Sequence, residues 1–151
     1  MTARPLFVVC EDGTEYVDRF QRLLGLRFRF VRAGSFAEAT AALARDAVGL
    51  LLDLDFRRSP AGVLVDESGG ADATRVDSER RHVSAVQGVL ILRALRRQGV
   101  KLPVLLFADF DDADQTAYLE AELAPLRVVR SSVGLHDISS ALDQIAAGSK
   151  P

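Results

Sequence analysis

Four acidic residues stand where an apolar run gives way to polar chain. Glu11 and Asp12 follow LFVVC (6–10), and Asp53 and Asp55 follow VGLLL (48–52). Carboxylates brought from two strand ends into one cleft are hard oxygen ligands, the kind that octahedral Mg²⁺ takes together with water. Turns favour aspartate on their own account, which explains Asp12 or Asp55. That explanation suits Asp53 less well, because it directly ends a run apolar enough to be buried on both faces.

The elements that must position these residues follow from the pattern of the chain. Short apolar runs alternate with amphipathic stretches, as in a parallel sheet covered by helices. The first strand is Leu6–Cys10, closed by Asp12 and Gly13. Tyr16, Val17, Phe20, Leu23 and Leu24 then recur at helical spacing up to Gly25. Residues 26–32 (LRFRFVR) alternate strictly, which predicts a half-buried edge strand. Ser35 and Glu38 form a capping box for an alanine-rich helix running to about Arg45.

Beyond the buried third strand, order is lost over 57–77, where Pro60, Gly62, Gly69 and Gly70 interrupt the chain. No apolar stripe is evident there, and the segment is expected to be the most mobile internal part. A single helix is predicted from about Glu79 to Gln98, with Val83, Val86, Leu90, Ile91 and Ala94 on its apolar stripe. PVLLFA (103–108) is a fourth strand and Asp112–Ala124 a fourth helix. LRVVR (126–130) is a fifth strand, and Leu135, Ile138, Leu142 and Ile145 mark a closing helix. Loops at the carboxyl ends of such strands are where open α/β sheets bind ligands.

In this order the chain resembles the receiver domain of two-component response regulators over almost its whole length. The resemblance is carried by LFVVCED, FVRAGSFAEATAAL, VGLLLDLD, GVLILRALRRQGVKLPVLLFAD and LRVVRSSVGLHDISSAL. It implies a flavodoxin-like three-layer sandwich, residues 1–151 as one domain, and a parallel sheet in the order 2-1-3-4-5. It also implies that Asp53 is the acceptor of a phosphoryl group from a histidine kinase. Mg²⁺ would be held weakly by Glu11, Asp12 and Asp53.

Several positions depart from the family pattern. Cys10 takes the first slot of the acidic pair, and Ala108 takes the slot of a Ser or Thr that senses phosphate. Arg130 stands for the usual Lys and Ser131 for the Pro after it; Arg keeps the charge, but its planar fork differs from a compact ammonium. If Gly88 is the glycine that opens the third helix, it lies 35 residues beyond the acceptor, and 57–77 is an insertion between third strand and third helix. The resulting expectation is an atypical receiver that works through contacts with a signalling protein, with impaired phosphorylation at Asp53. The alternative is a fully phosphorylatable receiver. A homodimer is left open.

Two enzyme readings compete. Glu11 with Asp53-Leu54-Asp55 resembles the Toprim arrangement of Mg²⁺-dependent nucleases, although Asp12 separates Glu11 from Gly13 and Toprim does not require the fifth strand. Asp53-x-Asp55 resembles haloacid-dehalogenase phosphatases, which place the motif on the first strand. Neither is favoured, and no enzymatic turnover is expected.

Bulk properties narrow the field further. With 48% hydrophobic and 26% charged residues in 151, one well-filled core is expected. A formal charge of −2 gives no global pull toward nucleic acid or membranes, and no run is long enough to span a bilayer. Cys10, the single cysteine, fits a reducing cytoplasm and reads as a core residue. His82 and His136 read as surface residues, Arg93, Arg96, Arg97 and Lys101 as a solvated helix face, and Asp109, Asp111, Asp112 and Asp114 as a solvated helix start.

Overall fold

Each apolar run becomes one strand, because a strand hydrogen-bonded on both sides and covered on both faces needs apolar side chains throughout. The computed structural model describes residues 3–60, 63–66 and 77–148. In chain order the elements are β1 (Leu6–Cys10), α1 (Glu15–Leu24), β2 (Arg29–Ala33), α2 (Phe36–Leu43), β3 (Ala47–Asp53), α3 (Asp77–Ala85), α4 (Gln87–Arg97), β4 (Val104–Phe107), α5 (Ala113–Glu122), β5 (Leu126–Val129) and α6 (Leu135–Gly148). The strands are parallel and ordered β2-β1-β3-β4-β5, as expected.

Alternation along the strands divides the core into two layers. Phe7, Val9, Leu51, Leu105 and Phe107 pack with Val17, Phe20 and Leu24 of α1 and Ile138 and Leu142 of α6. Val8, Cys10, Leu50, Leu52 and Leu106 pack on the opposite side with residues of α2, α3, α4 and α5. Cys10 is wholly buried, and burial pushes its thiol far above the usual range, so it is a core residue as expected. His82 and His136 are exposed.

Three local expectations need correction. The edge strand does not begin at residue 26: Leu26 is 95% exposed, and pairing starts at Arg29, beside Leu6 of β1. The single helix over 79–98 is two helices broken at Val86. In an unbroken helix the Gly88 amide would donate to the Ser84 carbonyl. Here Gly88 N donates to Leu54 O (2.9 Å), while Ser84 O accepts from Phe56 N (2.8 Å). The chain after β3 thus wedges into the helical ladder. Gly88 is the close-approach glycine, since a Cβ on it would lie 2.3 Å from Asp53 O.

Third, part of the 57–77 segment is anchored. Leu64 and Val65 are buried in the core. The carboxamide of buried Gln87 receives Val65 N (2.8 Å) and donates to Val65 O (3.0 Å), replacing the backbone partners that a neighbouring strand would offer. Residues 61, 62 and 67–76 lie outside the described residues. The basic cluster also does more than face water. Arg96 donates to the carbonyls of Val100, Leu102, Leu123 and Pro125, each at 3.0 Å, closing the ends of α4 and α5.

Candidate functional site

Glu11 leaves β1 buried, at 1% exposure. Its carboxylate accepts from Tyr16 N (3.1 Å) and Val17 N (2.8 Å). Thr14, the N-cap residue of α1, makes no side-chain cap, so Glu11 satisfies these free amides at the positive end of the helix. Burial raises its pKa above the ordinary value, while the two amide bonds oppose that rise.

Asp12 faces the other way, and an arginine meets it. Arg58 N donates to Asp12 Oδ2 (2.8 Å) and Arg58 Nη2 to Asp12 Oδ1 (3.0 Å), with the Asp12 side chain only 4% exposed. The same guanidinium grips Glu15 through Nη1 (2.7 Å) and Nη2 (2.9 Å). Arg58 holds the Glu15 carboxyl down at about 2. From β2, Arg32 donates to the carbonyls of Glu11 (3.2 Å) and Asp12 (3.1 Å) and fixes the backbone of this loop.

Asp53 ends β3 with one carboxylate oxygen accepting from Leu54 N (2.9 Å). It lines an open cleft of about 290 Å³ with Asp12, Asp55, Arg57 and Arg58. Burial first, then the negative charges of Asp12, Glu11 and Asp55, push its pKa from 3.8 up to about 6, against the lowering effect of the Leu54 amide. An acid whose folded pKa lies above its unfolded one makes the folded state lose stability as pH rises through that interval. Asp53→Asn is therefore expected to stabilise the fold by about 2 kcal/mol at pH 7.5 and to change it little near pH 4. Urea unfolding at both values checks this; equal stabilisation at the two would contradict it.

The remaining positions lie at the ends of β4 and β5, where Ala108 and Arg130 line a separate cleft with Phe110 and Val128. Ala108 is buried and donates its backbone amide to Val129 O (2.9 Å). Arg130 reaches back over the loop to Phe110 O (3.4 Å). Asp109 accepts from Ser131 N (3.0 Å) and Ser131 Oγ, which ties the two strand ends together and lowers the Asp109 pKa. Asp109 is thus a cross-strand tie, beyond the solvated helix start expected of it. Tyr16 stacks on Phe107 (centroids 4.7 Å apart), and burial plus the charges of Asp53, Asp109 and Glu11 push its hydroxyl up to about 12.

The fold therefore gathers Asp12, Asp53 and Asp55 at one cleft and turns Glu11 into the α1 terminus. Among the described residues, no three His, Cys, Asp or Glu side chains gather as a metal cluster. Both oxygens of Glu11 and both of Asp12 already accept from protein donors, so Mg²⁺ at this carboxylate set would have to compete with those donors. Arg58, Glu15, Arg32 and Tyr16 complete the site without having stood out in the sequence.

No protein-family model matches the sequence, and no curated protein matches it. Solved structures match in fold. The receiver domain of the Francisella response regulator 1452 superposes with a TM-score of 0.70 at 11% identity, over 97% of this chain and 100% of that one. The signal receiver domain of an HD domain-containing protein from Pseudomonas fluorescens Pf-5 gives 0.66 at 14% identity, over 99% and 91%. A two-component response regulator from Clostridium difficile gives 0.64 at 8%, over 95% and 97%. The chain has the fold of response-regulator receiver domains, and the match favours that fold over the Toprim arrangement.

Proposed function

We propose that this chain is an atypical receiver-like signalling domain that acts through protein–protein contacts, with impaired phosphorylation at Asp53. One observation carries the reading: the two carboxylates that should join Asp53 around a metal have every oxygen engaged by the protein itself. A charge-assisted hydrogen bond contributes about 1.5–3 kcal/mol, so ligands held this way are costly to recruit. Ala108 adds to the effect, because it offers no hydroxyl to a phosphoryl oxygen and so couples loop β4–α5 weakly to the acceptor.

The partner implied is another signalling protein, with a histidine kinase as the donor for whatever modification occurs. Nucleic acid is a poor partner for a chain of formal charge −2. No helix among the described residues is long and apolar enough to cross a membrane. The reading places the domain in the cytoplasm and assigns it no turnover of its own. The alternative, a fully phosphorylatable receiver, draws on Asp53, which keeps the acceptor position and lines the cleft.

Intact-mass analysis after incubation with acetyl phosphate and Mg²⁺ separates the two. The expected result is modification of a minor fraction, absent in Asp53→Asn, with partner binding almost unchanged by that substitution. Near-stoichiometric modification at Asp53, with a matching change in oligomeric state, would restore the ordinary phospho-switch.

A further inference from the structure

Arg58 is not an ordinary surface ion-pair residue. Exposed pairs contribute little because two flexible side chains must be ordered against water and salt. Here the backbone does much of the ordering. Phe56 is 1% exposed and bonds through its amide to Ser84 O (2.8 Å), and Ser59 N closes a turn on Phe56 O (3.1 Å). Arg58 sits in that turn, its own amide on one Asp12 oxygen and its guanidinium on the other. The fork then spans to both oxygens of Glu15.

We propose that Arg58 is a built-in cation that competes with divalent metal for Asp12, so that the cleft takes a metal only when the turn around Arg58 lets go. The inference rests on the receiver-like reading of the site and names how that site is regulated. A guanidinium bridging Asp12 and Glu15 supplies one positive charge at the rim of the cleft that Asp12 and Arg58 line with Asp53 and Asp55. A divalent cation recruited to Asp12 and Asp53 must displace Arg58 from Asp12 and leave it on Glu15 alone. Coupling of this kind is reciprocal: whatever Arg58 does to metal affinity, metal does to Arg58 docking.

Mg²⁺ titration followed by backbone amide NMR, with Mn²⁺ broadening to locate the ion, tests this on the full chain. Arg58→Ala is expected to bind Mg²⁺ on the order of tenfold more tightly than the unaltered protein. Broadening should centre on the amides of Asp12 and Asp53. Arg58→Gln, which keeps a polar side chain and the backbone bond to Asp12 but removes the guanidinium, should gain in the same direction. Both gains should vanish when Asp12→Asn is added. Equal Mg²⁺ affinity in the unaltered protein and both variants overturns the inference, as does a gain that survives Asp12→Asn. Such failures leave the receiver-like reading to the acetyl phosphate result on the unaltered chain, which does not depend on Arg58 variants.

Discussion

Gly88→Ala is expected to destabilise the fold by about 3–4 kcal/mol, the sum of forced overpacking and a weakened hydrogen bond. The new Cβ would meet Asp53 O at 2.3 Å, Leu54 Cα at 2.9 Å and Asp53 C at 3.1 Å. These are backbone atoms at the end of a central strand, so no side chain can swing aside. Moving α4 away stretches the bond from Gly88 N to Leu54 O (2.9 Å) and unseats the wedge that breaks the helix at Val86. The shift also moves Asp53, so damage to the cleft should accompany the loss. Urea unfolding and the amide shifts of Asp53 and Leu54 measure the two effects. A cost below about 1 kcal/mol would show that the approach is looser than described.

Gln87→Leu is expected to cost about 3 kcal/mol, because it keeps the volume and removes both polar atoms that serve Val65. Gln87 is 1% exposed and Val65 5%, so water cannot readily replace the lost partners of Val65 N and Val65 O. A buried group left unsatisfied costs about 1–3 kcal/mol, and here there are two. Leu64 and Val65 would then no longer be held against the sheet, and hydrogen exchange at Val65 should rise toward that of unprotected chain. Wild-type protection at Val65 in the variant would show that another partner takes over.

Much of the fold could be read from the pattern of the chain, because the interior strands are buried on both faces and a run such as LFVVC has no other comfortable place. What failed to show was set by distant backbone. LRFRFVR alternates from Leu26, yet the strand begins at Arg29, because its partner β1 begins at Leu6 and Arg29 N bonds to Pro5 O (2.8 Å). The apolar stripe through Val83, Val86 and Leu90 is continuous in sequence, while the break at Val86 is imposed by Leu54 and Phe56, which no local pattern reveals. Arg96 read as part of a solvated helix face and Gln87 drew no reading, because their roles as clamps depend on carbonyls and amides brought in by folding.

The candidate site was legible in part. Asp53, Asp12 and Asp55 do meet, because strand ends of a parallel sheet deliver their loops to one side. The position of Glu11, four residues before Glu15 opens α1, carried a signal for helix capping beside the one for metal binding. Arg58 carried none: it lies 46 residues from Asp12, in a stretch of chain with no periodicity. Two roles for one acidic cluster, cation ligand or partner of an internal arginine, are indistinguishable until the turn after β3 is placed.

On the proposed reading, the cleft is held by the protein's own donors instead of by metal and phosphoryl group. Addition of Mg²⁺ with beryllofluoride, a mimic of the phosphorylated aspartate, followed by backbone amide NMR, tests it most directly. Small, non-saturating shifts are expected at Asp12, Asp53 and Arg58 and almost none at Ala108 and Arg130. Saturating shifts at Asp53 that extend through Ala108 to Arg130, lost in Asp53→Asn, would contradict it.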